Sequence, residues 1–274
     1  MRARSEAPSV TTKAAVERVG LFGVEIDCVR LDEAVQRILV MARTPGPCRF
    51  VVTPNLDHSM QLQTNAALRR AYADAALVIA DGWPVVLASH LFGTPLPGRV
   101  TGSDLVPALL EAASERDPLR IFLLGAAPGV AQRAAIRVER DYPGAIVVGT
   151  RSPEFGFERD AAENSKILAH VEESKADVLV VGLGAPKQEL WVHAHQDRIR
   201  ANVALCVGAT IDFLAGERSR APEWVQRVGA EWVHRMMSEP RRLGPRYAKN
   251  ALGLPSLLLR EMRKRRNGGR SHES

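Results

Sequence analysis

The chain has 274 residues, 46% of them hydrophobic and 25% charged, with a net charge of +6. It is long enough for one compact domain with an appendage, and too apolar to be a disordered scaffold. Cys28, Cys48 and Cys206 are far apart and form no CxxC pair, which excludes a disulfide framework and a thiolate zinc site and implies a reducing compartment. No run approaches the ~18 to 20 apolar residues of a membrane-spanning helix. The first twenty residues lack the apolar core of a secretory signal, so a cytoplasmic protein is expected.

Residues 1–18 mix charged and small residues without a period and read as a mobile leader. From Val19 to about residue 230, short β-branched runs alternate with amphipathic stretches. The runs at 50–52, 77–79, 121–124, 145–148, 178–181 and 203–207 predict buried strands, and 32–43, 57–73, 83–91, 104–115, 129–140, 159–173 and 187–199 predict helices. Such alternation indicates crossover connections, hence an α/β fold with a Rossmann-like parallel sheet flanked by helices. Residues 231–274 form a basic helical appendage. Between Arg235 and Arg270 lie eleven Lys and Arg against Glu239 and Glu261, so the positive charge belongs to the tail.

In a parallel sheet the ligand site lies beyond the carboxyl ends of the strands. There the sequence places Thr53-Pro54-Asn55, Ala80-Asp81-Gly82, Gly125 to Gly129, Gly182 to Gln188, and Gly208-Ala209-Thr210. Asp81 at a strand end suits a general base, or else the cap of the following helix. Thr53 and Asn55 face the same crevice as hydrogen-bonding groups, or serve as a turn and a cap. Gly125 and Gly184 let backbone approach a phosphate, although neither loop carries GxGxxG or a Walker glycine pattern and chain reversal explains Gly125 equally. Lys187 and Gln188 follow Pro186 at a helix start, within reach of an anion or a sugar hydroxyl, with a solvated Lys187 as the alternative. Arg99 offers a guanidinium to a phosphate, and Thr101 and Asp104 of the same segment are further substrate contacts. The seven histidines form no metal-ligand pattern, and no DxD or GxSxG occurs.

Taken together, these segments resemble the WecG/TagA/CpsF glycosyltransferases, glycosyltransferase family 26. The resemblance rests on Thr53-Pro54-Asn55, Asp81-Gly82, Arg99 to Leu105, Leu124 to Val130, Val181 to Glu189, Gly208 to Gly216, Arg220 to Trp224, Glu231 to Arg235 and Glu239 to Leu243, in order over about 190 residues. It departs at His234, where the family more often has an aromatic residue. In 151–158 only Gly156-Phe157 remains of an aromatic-rich stretch.

The resemblance implies an inverting, metal-independent transferase without a cofactor, moving a sugar such as N-acetylmannosamine from a UDP-sugar to a polyprenyl-diphosphate-linked saccharide for cell-surface polysaccharide. It assigns Asp81 as base, Thr53 and Asn55 to the catalytic pocket, and Arg99, Gln188, Arg235, Arg242 and Arg246 to the substrates. It also suggests a homo-oligomer. The leucines at 252, 254 and 257–259 beside Arg260, Arg263, Lys264, Arg265 and Arg266 have the composition of an interfacial basic helix, which implies a peripheral protein on an anionic inner membrane face. A non-catalytic binding module for a nucleotide-sugar or lipid diphosphate is the competing reading. Nucleic acid is disfavoured, because after Trp232 only Tyr247 could stack on a base.

Overall fold

The structure is a computed structural model that describes residues 17–218, 221, 233, 236, 237 and 240–270, with the backbone alone at 242 and 268–270. Six strands, β3 (Arg49–Val52), β4 (Leu77–Val78), β5 (Leu119–Gly125), β6 (Ala145–Arg151), β7 (Val178–Gly182) and β8 (Val203–Cys206), pair in parallel in the spatial order β4-β3-β8-β7-β5-β6. They are the six apolar runs expected from the sequence. Because both faces of a parallel sheet are covered, successive residues of one strand enter different cores. Phe50, Phe122, Leu124 and Val181 pack on one side, and Val51, Ile121, Leu123 and Val180 on the other.

The first side is covered by α2 (Leu56–Leu62), α3 (Ala66–Asp74), α4 (Trp83–Leu91), α7 (Ala161–Ser174) and α8 (Lys187–His195). The second is covered by α1 (Leu31–Arg43), α5 (Gly102–Glu111), α6 (Val130–Asp141) and α9 (Thr210–Ala215). The single helix expected at 57–73 is broken. Asn65 accepts the Leu68 N–H at 3.0 Å and starts α3 as a new helix, a capping signal that the apolar period hides.

A hairpin of β1 (Arg18–Leu21) and β2 (Val24–Asp27) was not expected. Its two-residue turn puts both Phe22 (φ 54°) and Gly23 (φ 85°) in the left-handed region, the geometry of a type I′ turn. Phe rarely adopts that conformation, so the dipeptide gives no turn signal. Burial of Phe22 in the first core holds it there. Arg18, assigned to the leader from sequence, is thus part of β1, and residues 1–16 lie outside the described residues. The Asp27 carboxylate accepts the Val78 N–H at 2.8 Å, so the hairpin covers the free edge of β4.

The C-terminal helix (Pro240–Arg270) lies against α2, where a Cβ added at Gly253 would stand 2.9 Å from the Met60 thioether. It is pinned to the hairpin. Buried Glu261 accepts the Phe22 N–H at 3.1 Å and the Arg265 Nε–H at 3.0 Å, while Arg265 also donates to the carbonyls of Gly20 and Phe92. This corrects the interfacial reading of the tail in part: Leu257 is buried in the core and Arg265 is spent on the fold, leaving Leu252, Leu259, Arg260, Arg263, Lys264 and Arg266 exposed. Among the described residues, no helix is long and apolar enough to cross a membrane.

Candidate active site

The loops after β4, β3, β8 and β7, four adjacent strands, enclose a cavity of about 450 Å³, and the C-terminal helix closes it with Arg246, Tyr247, Asn250, Ala251 and Leu254. Glycine makes the crowding feasible at one contact. A Cβ on Gly102, at the start of α5, would stand 2.7 Å from the Val207 side chain.

Asp81 leaves β4 into this cavity. Its N–H donates to the Pro54 carbonyl at 2.8 Å, and the Val100 N–H donates to the Ala80 carbonyl at 2.8 Å, so the segments carrying Asn55 and Arg99 flank the Ala80-Asp81 backbone. The capping alternative for Asp81 is not realised: Gly82, at φ 139°, is the N-cap of α4 and no side chain caps it. For Asn55 the cap is realised. Its Oδ1 accepts the N–H groups of Asp57 (3.0 Å) and His58 (3.3 Å), while the residue still lines the cavity. Thr53 is buried and its hydroxyl donates to the Cys206 carbonyl at 3.1 Å, tying β3 to β8 under the cavity floor.

The N-termini of α2, α4, α5, α8 and α9 all reach the cavity wall, through Leu56, Trp83, Gly102, Gln188 and Thr210. Their dipoles favour an anion there. Arg99 and Arg246 add two guanidinium groups. Arg246 Nε, Trp83 Nε1 and Asn250 Oδ1 are buried and have no hydrogen-bond partner among the described residues. A strand-end carboxylate, cations, helix ends and spare polar atoms together suit an anionic, hydroxyl-rich ligand.

Of the residues expected from sequence, Thr53, Asn55, Asp81, Arg99, Thr101, Gly184, Gln188 and Arg246 line the cavity. Thr101 also caps α5, accepting the Asp104 N–H at 3.1 Å and donating to the Asp104 carboxylate at 2.7 Å, which turns Asp104 to a supporting role. Gly125 does not line the cavity, because β5 lies beyond the four strands that build it. Its φ of 117° and the contact an added Cβ would make with the Gly182 carbonyl oxygen make it a packing glycine. Lys187 also points elsewhere: its Nζ lies 3.3 Å from the Glu158 carboxylate and 4.2 Å from the Phe155 ring centroid. Arg235 and the Arg242 side chain lie outside the described residues.

Sequence reasoning missed His58, Glu189, Tyr247 and Asn250. The last two share a helical face with Arg246 and Leu254, a spacing that was legible once the tail was taken as a wall of the site. His58 and Glu189 are buried together with Nε2 to Oε1 at 3.3 Å. Burial disfavours the charged imidazole, but the Glu189 hydrogen bond and the charges of Glu189, Asp57 and Asp81 outweigh it and raise the His58 pKa. Burial and the Glu189 charge push the neighbouring Tyr72 and Cys206 up as well. Among the described residues, no group of three or more His, Cys, Asp or Glu could hold a metal ion.

Comparison with known proteins gives a consistent picture. Residues 19–269 match the Glycosyl transferase WecG/TagA/CpsF family. A Bacillus spizizenii protein named N-acetylglucosaminyldiphosphoundecaprenol N-acetyl-beta-D-mannosaminyltransferase is 30% identical over 223 residues, covering 81% of this chain and 82% of that protein. A Staphylococcus aureus protein of the same name is 28% identical over 237 residues, covering 86% and 91%.

Proposed function

We infer the reaction from one premise: this chain belongs to the WecG/TagA/CpsF family and is a glycosyltransferase. We propose that it transfers N-acetylmannosamine from a UDP-linked donor to N-acetylglucosaminyl-diphosphoundecaprenol, the acceptor in its relatives' names, with inversion at the transferred carbon. The observation that carries this reading is the placement of one strand-end carboxylate, Asp81, in the same cavity as Arg99, Arg246 and five helix N-termini. An inverting displacement needs a base on the acceptor side and positive charge on the leaving side.

In this mechanism the acceptor hydroxyl attacks the anomeric carbon of the donor as its proton passes to Asp81. The bond from that carbon to the diphosphate oxygen breaks, and UDP leaves with the electron pair. Arg99, Arg246 and the N–H groups of the α4, α5 and α8 termini stabilise the charge on the departing diphosphate, so no divalent cation is needed in this reading. Thr53, Asn55 and Gln188 have their backbone-facing bonds within the protein, and their role is to shape the pocket around the sugars.

The acceptor is a membrane lipid in this proposal, so the protein has to meet a bilayer. The exposed Leu252 and Leu259 beside Arg260, Arg263, Lys264 and Arg266 support a peripheral contact with an anionic surface. The enzymatic test is UDP release from UDP-N-acetylmannosamine with a short-chain polyprenyl-diphosphate N-acetylglucosamine. The Asp81→Asn variant is expected to bind the donor and lose at least about a thousandfold in turnover, and full turnover in that variant removes Asp81 as base.

A further inference from the structure

Beneath the cavity, three side chains and two backbone amides form one continuous line of hydrogen bonds. The Asn55 N–H donates to His58 Nδ1 at 3.3 Å, which leaves the imidazole proton on Nε2, facing Glu189 Oε1 at 3.3 Å. The same carboxylate oxygen accepts Gln188 Nε2–H at 2.8 Å, and the Gly208 N–H donates to Gln188 Oε1 at 3.1 Å. Each donor meets an acceptor along the line. It joins the loop after β3 to the loop after β8 through the start of α8, and the Pro54 carbonyl beside Asn55 holds the Asp81 N–H at 2.8 Å.

Glu189 is fully buried, and its second oxygen has no hydrogen-bond partner among the described residues. A buried carboxylate costs stability unless it is paired, and a hydrophobic residue in its place would fill the same space without that cost. Its presence below an active-site cavity therefore points to a use in the reaction.

We propose that His58 and Glu189 are positioning residues of the transfer reaction, tying the Asn55 loop to α8 so that Asp81 and Gln188 keep their places in the cavity, and that protonation of His58 releases this tie. A second proton on the ring would sit on Nδ1 and turn a donor toward the Asn55 N–H, so that bond is lost while the bond to Glu189 strengthens. The titratable groups facing the ring are Glu189 on α8, Asp57 on α2, Asp81 after β4, and Tyr72 on α3, whose ring centroid is 6.3 Å away. The three carboxylates raise the His58 pKa, which brings the release toward neutral pH.

The inference rests on Asp81 being the base, and the experiment separates the two. Turnover is measured from pH 5.5 to 8.5 with UDP-N-acetylmannosamine and the polyprenyl-diphosphate N-acetylglucosamine for the full-length protein and for Glu189→Gln, His58→Asn and Asp81→Asn. Donor binding is followed by calorimetry. The expected wild-type profile falls on the acid side within this range. In Glu189→Gln that limb moves to lower pH, by about one unit, because the main charge holding the proton on His58 is gone. In His58→Asn, where the amide oxygen still meets the Asn55 N–H but cannot titrate, the limb disappears and the plateau is lower by about tenfold. Donor binding stays within about threefold in both. Limbs that coincide with wild type in both variants overturn the proposal even if Asp81→Asn is inactive. A fully active Asp81→Asn removes the base assignment alone, and a limb moved in Glu189→Gln then still supports the tie to the cavity. If either variant fails to fold, the other carries the test through its own limb.

Discussion

At the scale of single residues, Asp81 owes its place to neighbours on both sides: Pro54 takes its N–H, and Gly82 at φ 139° lets the chain turn at once into α4. The strand-end carboxylate before Gly82 was legible, although a helix cap was an equally open reading there, and the Pro54 bond was not legible because it joins two loops brought together only by the sheet. Lys187 was not legible, because its direction depends on Glu158 and Phe155, contributed by a loop some thirty residues earlier. Lys187→Ala is therefore expected to leave UDP-sugar affinity within about twofold by calorimetry, as a surface substitution away from the cavity would. Gly125→Ala should cost about 2 to 4 kcal/mol in urea unfolding, from the strained φ and the collision with the Gly182 carbonyl, with donor affinity unchanged in the folded fraction. Burial drives the Cys48 thiol up to about 12 and the Cys206 thiol up as well, so both stay protonated at neutral pH. A disulfide reagent at pH 8 is expected to label Cys28 first, and Cys48 and Cys206 only on unfolding. For His58 the pKa is higher folded than unfolded, so its contribution to stability is fully present below the ordinary value of about 6.5 and is lost as pH rises through the raised one. Stability should thus hold on the acid side while turnover falls there, which separates the loss of activity from unfolding.

Among the elements, the sheet was the most legible, because six apolar runs of strand length separated by helical spacing permit little else. The hairpin and the tail were not. The hairpin turn uses Phe22, whose left-handed φ only tertiary packing imposes. The tail looked like a separate basic helix because its charge dominates its composition, whereas Tyr247, Asn250 and Leu254 make it a wall of the cavity and Glu261 with Arg265 fasten it to the hairpin. Removing the Arg265 guanidinium leaves Glu261 buried against the Phe22 N–H with its charge uncompensated, so Arg265→Ala is expected to lower stability by about 3 kcal/mol and to weaken donor binding as the wall loosens. Replacing Arg260, Arg263, Lys264 and Arg266 by Gln should leave stability and donor affinity near wild type while reducing cosedimentation with vesicles rich in anionic lipid, at roughly 1 kcal/mol per charge. Undiminished vesicle binding in that variant would take the membrane contact away from this helix.

For the whole molecule, the division of labour follows from topology. A parallel sheet gathers the ends of β4, β3, β8 and β7 at one edge, which concentrates helix N-termini and short polar loops there, and the tail supplies the cover and Arg246. This arrangement places one strand-end carboxylate, the proposed base, and several sources of positive charge around one cavity of about 450 Å³, with cationic and apolar groups exposed further along the same C-terminal helix. The most direct test of the account is UDP release by the purified full-length protein in EDTA, with UDP-N-acetylmannosamine and polyprenyl-diphosphate N-acetylglucosamine, wild type against Asp81→Asn. The account predicts sustained turnover in the wild type and donor binding without turnover in the variant. Equal UDP release by both proteins, or wild-type release only after a divalent cation is restored, would contradict it.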